Sequence, residues 1–165
     1  MTEPGRVSAS DETPISPAVV RVALEVWAAT GRRSRWPVVG TSLWPLLQPG
    51  DVIEVAHDPQ EFRRGDLVLY RAGERAVVHR VLCRSDRGLL LGSDRLPTAD
   101  ATVLPEAMIG RVVAIQAGVR RLDLTTRPAR WLGRLLAACR TLRSRRGLRR
   151  LVKLLAHLQR RSLRP

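Results

Sequence analysis

The sequence predicts a mainly β, antiparallel domain with one helix before it and two basic amphipathic helices after it. Three observations point there. Short β-branched runs recur between residues 36 and 124, turn chemistry separates them, and the apolar period changes to about 3.6 beyond Arg127.

Residues 1–16 are polar and read as a disordered leader. Residues 17–30 (PAVVRVALEVWAAT) read as a helix with Pro17 near its first turn and Val20, Leu24 and Trp27 on one side. The cluster Gly31 to Arg35 breaks that pattern. The predicted β-domain over 36–124 is built from WPVVGT, DVIEVAH, DLVLY, RAVVHRVLC, GLLLG, IGRVVAIQ and VRRLDL. Between the first two, Pro49 and Gly50 suit the central positions of a type II turn. Strands this short and this closely spaced favour an antiparallel sheet or barrel over βαβ units. Over 127–165 one stripe runs through Leu132, Leu135, Leu136, Cys139 and Leu142. A second, after Gly147, runs through Leu148, Leu151, Val152, Leu155 and Leu158.

At 165 residues the chain has room for one ordinary domain with extensions. Its net charge of +14 is unevenly placed. Residues 1–126 hold 16 Arg and all 15 acidic residues, whereas 127–165 hold 12 Arg, Lys153 and no acid. The N-terminus has no basic segment leading into an apolar one, so no secretory signal is expected. No stretch approaches the roughly 18–20 apolar residues of a membrane span. The expected location is therefore the cytoplasm or, peripherally, the cytoplasmic membrane face.

No phosphate-binding glycine loop or His-x-x-x-His pair is present, and Cys83 and Cys139 lack metal-ligand spacing, so no cofactor or metal is expected. Two segments could carry chemistry. Ser42 lies in GTSLWP, where a strand gives out and a hydroxyl can be exposed, and a serine nucleophile needs a base beside it. His79 shares a strand face with Val77 and Val81; an apolar setting favours the uncharged imidazole that can accept a proton. Taken singly, each is more often a turn serine or a core histidine. A third segment, LLLGSDRLPTAD, places Asp94 and Asp100 after a strand, and a carboxylate would orient the base. Asp58 and Asp66, also in turns, remain alternatives for that role.

The order of these segments resembles the signal peptidase family within the LexA/signal peptidase superfamily. GTSLWPLLQPGDVIEV is similar to the box around the nucleophilic serine, and RRGDLVLYRAGERAVVHRVL to the box ending in the general base. LLLGSDRLPTAD followed by AMIGRVVAI is similar to the closing boxes. The match spans residues 36–118, about half the chain. His-Arg-Val stands where the Ser-Lys type has its lysine, so the resemblance is to the Ser-His type of archaea and the endoplasmic reticulum. It implies a signal-peptidase/LexA-like β-domain and a serine endopeptidase, with Ser42 as nucleophile, His79 as base, Asp100 as orienting acid and Asp94 in a supporting turn. Leu43 replaces the usual Met. Gly40 stands where many members carry a serine of the oxyanion hole, which leaves the Ser42 N–H and the Thr41 hydroxyl for that role. The resemblance implies a peptide or precursor-protein substrate cut after small apolar residues, though the family's membrane anchor is not evident in this sequence. A degenerate fold that only binds a peptide or partner is the alternative.

The Arg-rich segment 127–165 suits an anionic membrane surface, an acidic partner, or packing on the β-domain. Nucleic acid is the weakest fit, because Trp131 is the only aromatic there that could stack on a base.

Overall fold

The computed structural model describes residues 26–27, 30, 32–57, 61–95, 99–141, 154–158 and 160, without the side chains of 99–101 and 141. The expected leader over 1–16, most of the helix over 17–30 and the stripe from Leu148 to Val152 lie outside the described residues.

The alternating runs form eight strands: β1 (Arg33–Pro37), β2 (Val52–Ala56), β3 (Leu67–Ala72), β4 (Arg75–Ser85), β5 (Gly88–Gly92), β6 (Ala99–Val103), β7 (Met108–Ala117) and β8 (Arg120–Asp123). One helix, α1 (Arg127–Thr141), follows. All pairings are antiparallel, in the order β1-β2-β7-β3-β4-β5-β6, with β8 on β7. The mainly β antiparallel class is therefore as expected.

Two elements differ from expectation. β1 spans Arg33–Pro37 and so shares only Trp36 and Pro37 with the expected WPVVGT strand: it begins inside the arginine cluster, where Ser34 turns inward between exposed Arg33 and Arg35, and Val38 to Thr41 belong to the loop that follows. β6, with the sequence ADATV, is a strand that was not among the expected runs. Its weak β-formers are held by pairing with β5, Leu89 opposite Val103 and Gly92 opposite Ala99.

β3 is buried on both faces, as its unbroken apolar run requires. Leu67 and Leu69 enter a large core with Ile53, Val55, Val112 and Ile115. Val68 and Tyr70 enter a smaller one with Val81, Leu89 and Leu91. Register shifts within β2–β7, β3–β7 and β4–β5 curve the sheet. The curvature brings the end of β1 toward the start of β4.

The apolar stripe of α1 closes the large core: Leu136 and Cys139 are buried in it, and Leu132 and Leu135 pack against it. For residues 127–141 the apolar face is thus covered by the domain. The close approach needs two glycines. Gly65 has φ +94, where a side chain is strained, and a Cβ there would lie 2.5 Å from the Arg134 nitrogen; one on Gly133 would lie 2.7 Å from the Gly65 carbonyl oxygen. Gly133→Ala is expected to unfold at lower urea. Overpacking of about 1–3 kcal/mol opposes, and exceeds, the roughly 1 kcal/mol that alanine adds in helix propensity. A midpoint at or above wild type would contradict the contact.

Candidate active site

Ser42 is carried on the loop from Val38 to Asp51, which is closed at its base by two hydrogen bonds: Val38 N–H donates to Asp51 O (2.8 Å) and Gly50 N–H to Val38 O (3.0 Å). Asp51 N–H donates to Gln48 O (3.1 Å) across Pro49 and Gly50, whose φ of +90 fits the predicted type II turn. Leu43, Leu46 and Leu47 plug into the large core. That anchoring leaves Ser42 half-buried at the surface and Trp44 exposed. Leu43 is thus a core residue.

Ser42 is also tied to the turn after β5. Its carbonyl oxygen accepts hydrogen bonds from Ser93 Oγ (2.5 Å) and Arg95 N–H (3.1 Å), and Arg95 Nη1 donates to Thr41 Oγ1 (2.8 Å). A hydroxyl that accepts from arginine keeps its own proton for another acceptor, so Thr41 remains able to donate.

His79 is buried on β4, opposite Val68 of β3. Its Nδ1 lies 3.2 Å from the Tyr70 hydroxyl, and the two rings are 5.8 Å apart. As expected, it shares its face with Val77 and Val81. Arg80 pairs with Gly92, the residue before Ser93, whose hydroxyl holds Ser42. Ser42 is thereby linked to the turn that follows β5, the strand paired with β4. Among the described residues no hydrogen bond joins the Ser42 hydroxyl to His79.

The two aspartates separate. Asp94 is committed to Arg80: Nε donates to Oδ1 at 2.9 Å and Nη2 to Oδ2 at 2.7 Å, while Nη1 donates to Gly65 O at 2.9 Å. Arg80 is 1% exposed, and the pair is buried on the opposite face of β4 from His79. Asp94 thus braces the turn that holds Ser42. Asp100 lies on β6, next to Ala99, which pairs with Gly92; its side chain is outside the described residues.

Sequence reasoning missed three participants. Tyr70 is the only tyrosine in the chain, and its place two residues from the Val68 position opposite His79 was the available signal. Ser93 had no signal beyond its position beside Asp94. The third is a separate Ser-His contact, in which Ser34 Oγ and His57 Nε2 are 2.6 Å apart. His57 Nδ1 donates to Ile109 O (2.9 Å), so in the neutral ring Nε2 accepts from Ser34, which itself accepts from Trp36 Nε1 (2.7 Å). This pair is buried, with Trp27 covering the imidazole at 5.2 Å, and every hydroxyl contact is used structurally. Ser34→Ala is expected to destabilise by about 1–3 kcal/mol, because two buried ring nitrogens lose a partner, while leaving activity per folded molecule unchanged. Loss of activity at wild-type stability would move the site to Ser34.

A cavity of about 240 Å³ runs beside Ser42. One wall is Trp36 to Gly40, the other Arg75 to Val78, and Leu47, Ile53 and Leu69 are among the side chains between. Residues 75–78 pair with β3, and the β4–β5 ladder covers Arg80 to Ser85, so among the described residues no strand pairs with the other side of 75–78.

Among the described residues no cluster of three or more His, Cys, Asp or Glu could hold a metal, and no helix is long and apolar enough to cross a membrane. Cys83 is exposed; burial pushes the Cys139 thiol up. No protein-family model matches the chain, and neither a curated protein nor a solved structure matches it significantly.

Proposed function

We propose that this chain is a serine endopeptidase of the signal-peptidase kind, with Ser42 as nucleophile and His79 as general base. The observation that carries this reading is the groove: Ser42 lines an apolar channel whose far wall is the β4 segment Arg75 to Val78, which among the described residues pairs only with β3; His79 follows Val78 in the chain and does not itself line the channel. An extended peptide can pair with the other edge of that segment, which holds its backbone while alternate side chains enter the channel. Val38, Leu47, Ile53, Leu69 and Val78 offer only apolar surface, so the channel favours apolar residues.

In the proposed reaction Ser42 Oγ bonds to the scissile carbonyl carbon as His79 takes the hydroxyl proton. The Ser42 N–H and the Thr41 hydroxyl are the candidate donors to the oxyanion. The carbon–nitrogen bond then breaks, His79 returns its proton to the leaving amine, and water hydrolyses the acyl-enzyme. Asp100 as the orienting acid rests on the motif resemblance alone. Tyr70, already at the His79 Nδ1, is a second group able to orient the ring.

The absence of a hydrogen bond between the Ser42 hydroxyl and His79 favours one other reading, a peptide-binding module that does not cut. Both are tested by incubating the purified chain with extended peptides carrying small apolar residues and following the products by mass spectrometry. Cleavage by wild type and none by Ser42→Ala, with peptide binding retained, supports the peptidase. Equal binding by both proteins with no cleavage by either supports the module.

A further inference from the structure

Residues 154–158 and 160 are distant in sequence from the Ser42 loop, yet Ala156, His157 and Arg160 lie directly against it. Residues 154–158 are helical, with Ala156 fully buried in the large core beside Leu43, Leu46 and Leu47. His157 meets the Trp44 ring edge-on, with centroids 5.3 Å apart. Arg160 makes the most directional contact. Its Nη1 donates to Asp51 Oδ2 at 2.6 Å and to Leu46 O at 2.8 Å, and its Nη2 donates to Asp51 Oδ1 at 3.1 Å.

Arg160 thus joins two points of the loop, the carbonyl of Leu46 and the carboxylate at the base. Asp51 Oδ2 also accepts from Gln48 N–H at 2.8 Å, so the guanidinium, the carboxylate and the loop backbone form one connected set. The two side chains are 13% and 7% exposed, which shields the pair from the solvent that weakens surface ion pairs. A planar guanidinium meeting both carboxylate oxygens fixes orientation as well as distance. Ser42 itself is held on the other side by Ser93 and Arg95.

We propose that residues 154–158 and 160 form an intrachain latch on the nucleophile loop and that Arg160 is its positioning residue. Arg160 acts through Asp51 and Leu46 and touches no reacting atom. The latch makes the activity of Ser42 depend on the docking of the basic C-terminal segment; this kinetic consequence rests on the peptidase reading, whereas the mechanical one does not.

The test uses the full chain as wild type, Arg160→Ala, Arg160→Lys and Asp51→Asn. Amide hydrogen exchange is measured over 42–51 and, as reference, over β3 and β4. Arg160→Ala is expected to raise exchange in 42–51 about ten-fold or more with β3 and β4 unchanged, as local opening without global unfolding requires. Arg160→Lys is expected to fall between, because an ammonium keeps the charge and loses the fork. Adding Arg160→Ala to Asp51→Asn should then raise exchange by less than Arg160→Ala does alone, the remainder coming from the Leu46 carbonyl contact. On a cleaved peptide, kcat should fall about ten-fold with KM changed less than about two-fold, the signature of a misplaced catalytic group. Unchanged exchange in 42–51, or an equal rise over β3 and β4, overturns the latch. If wild type cuts no peptide, the peptidase reading fails while exchange still decides the latch.

Discussion

Ser42→Ala and His79→Ala should each lower kcat on a cleaved peptide by about 10⁴- to 10⁶-fold, and the double variant should be little worse than either single one. The size follows from the chemistry: without the hydroxyl no acyl-enzyme forms, and without the imidazole the hydroxyl is too weak a nucleophile at neutral pH. The two losses overlap because both groups serve one proton transfer. Peptide binding should survive Ser42→Ala, since the strand edge at 75–78 and the apolar lining of the groove are untouched. Product formation is read by mass spectrometry and binding by fluorescence anisotropy of a labelled peptide. Cleavage by Ser42→Ala at the wild-type rate would place the nucleophile elsewhere. Strictly additive losses would show that the two residues do not work as a pair.

Asp94→Ala should be the most destabilising single change at the site, by about 3–5 kcal/mol, because it strands the Arg80 guanidinium in an apolar interior. Arg80 is 1% exposed, and its guanidinium is held by the Gly65 carbonyl and Asp94. For a chain of this size the loss corresponds to a fall in Tm of about 10 °C or more. Replacing both partners by apolar residues, Arg80→Met with Asp94→Leu, should restore most of the stability, since no charge is then left buried alone. The double variant also separates stability from positioning. Asp94 braces the turn whose Ser93 and Arg95 hold the Ser42 carbonyl, so kcat is expected to stay below wild type even when stability returns. Urea unfolding gives the first quantity and peptide cleavage the second. Full activity in the stable double variant would mean that the brace does not reach Ser42.

Much of this was legible along the chain. Alternation in DVIEVAH and RAVVHRVLC, the unbroken run in DLVLY and the Pro49-Gly50 turn are local patterns, and each became the expected element. The face of His79 followed from the same period of two. The stripe of α1 was legible as an apolar face, but its partner was not. Whether such a stripe meets a lipid surface or a β-sheet depends on what else folds beside it, and Gly65 and Gly133 admit it to the sheet. β6 was hidden because ADATV has little strand preference of its own, and only β5 supplies the reason for it to extend.

Local periodicity therefore established the antiparallel class and set Ser42 at a loop end and His79 on an apolar strand face. It left open which residues would meet. Arg80 with Asp94, Ser93 with the Ser42 carbonyl, Ser34 with His57 and Arg160 with Asp51 are contacts between segments far apart in the chain. Such contacts arise when a curved sheet brings distant elements together and a buried polar group must find a partner, a condition with no period in the sequence. That is why the groove beside Ser42 and the latch behind it emerged only with the fold.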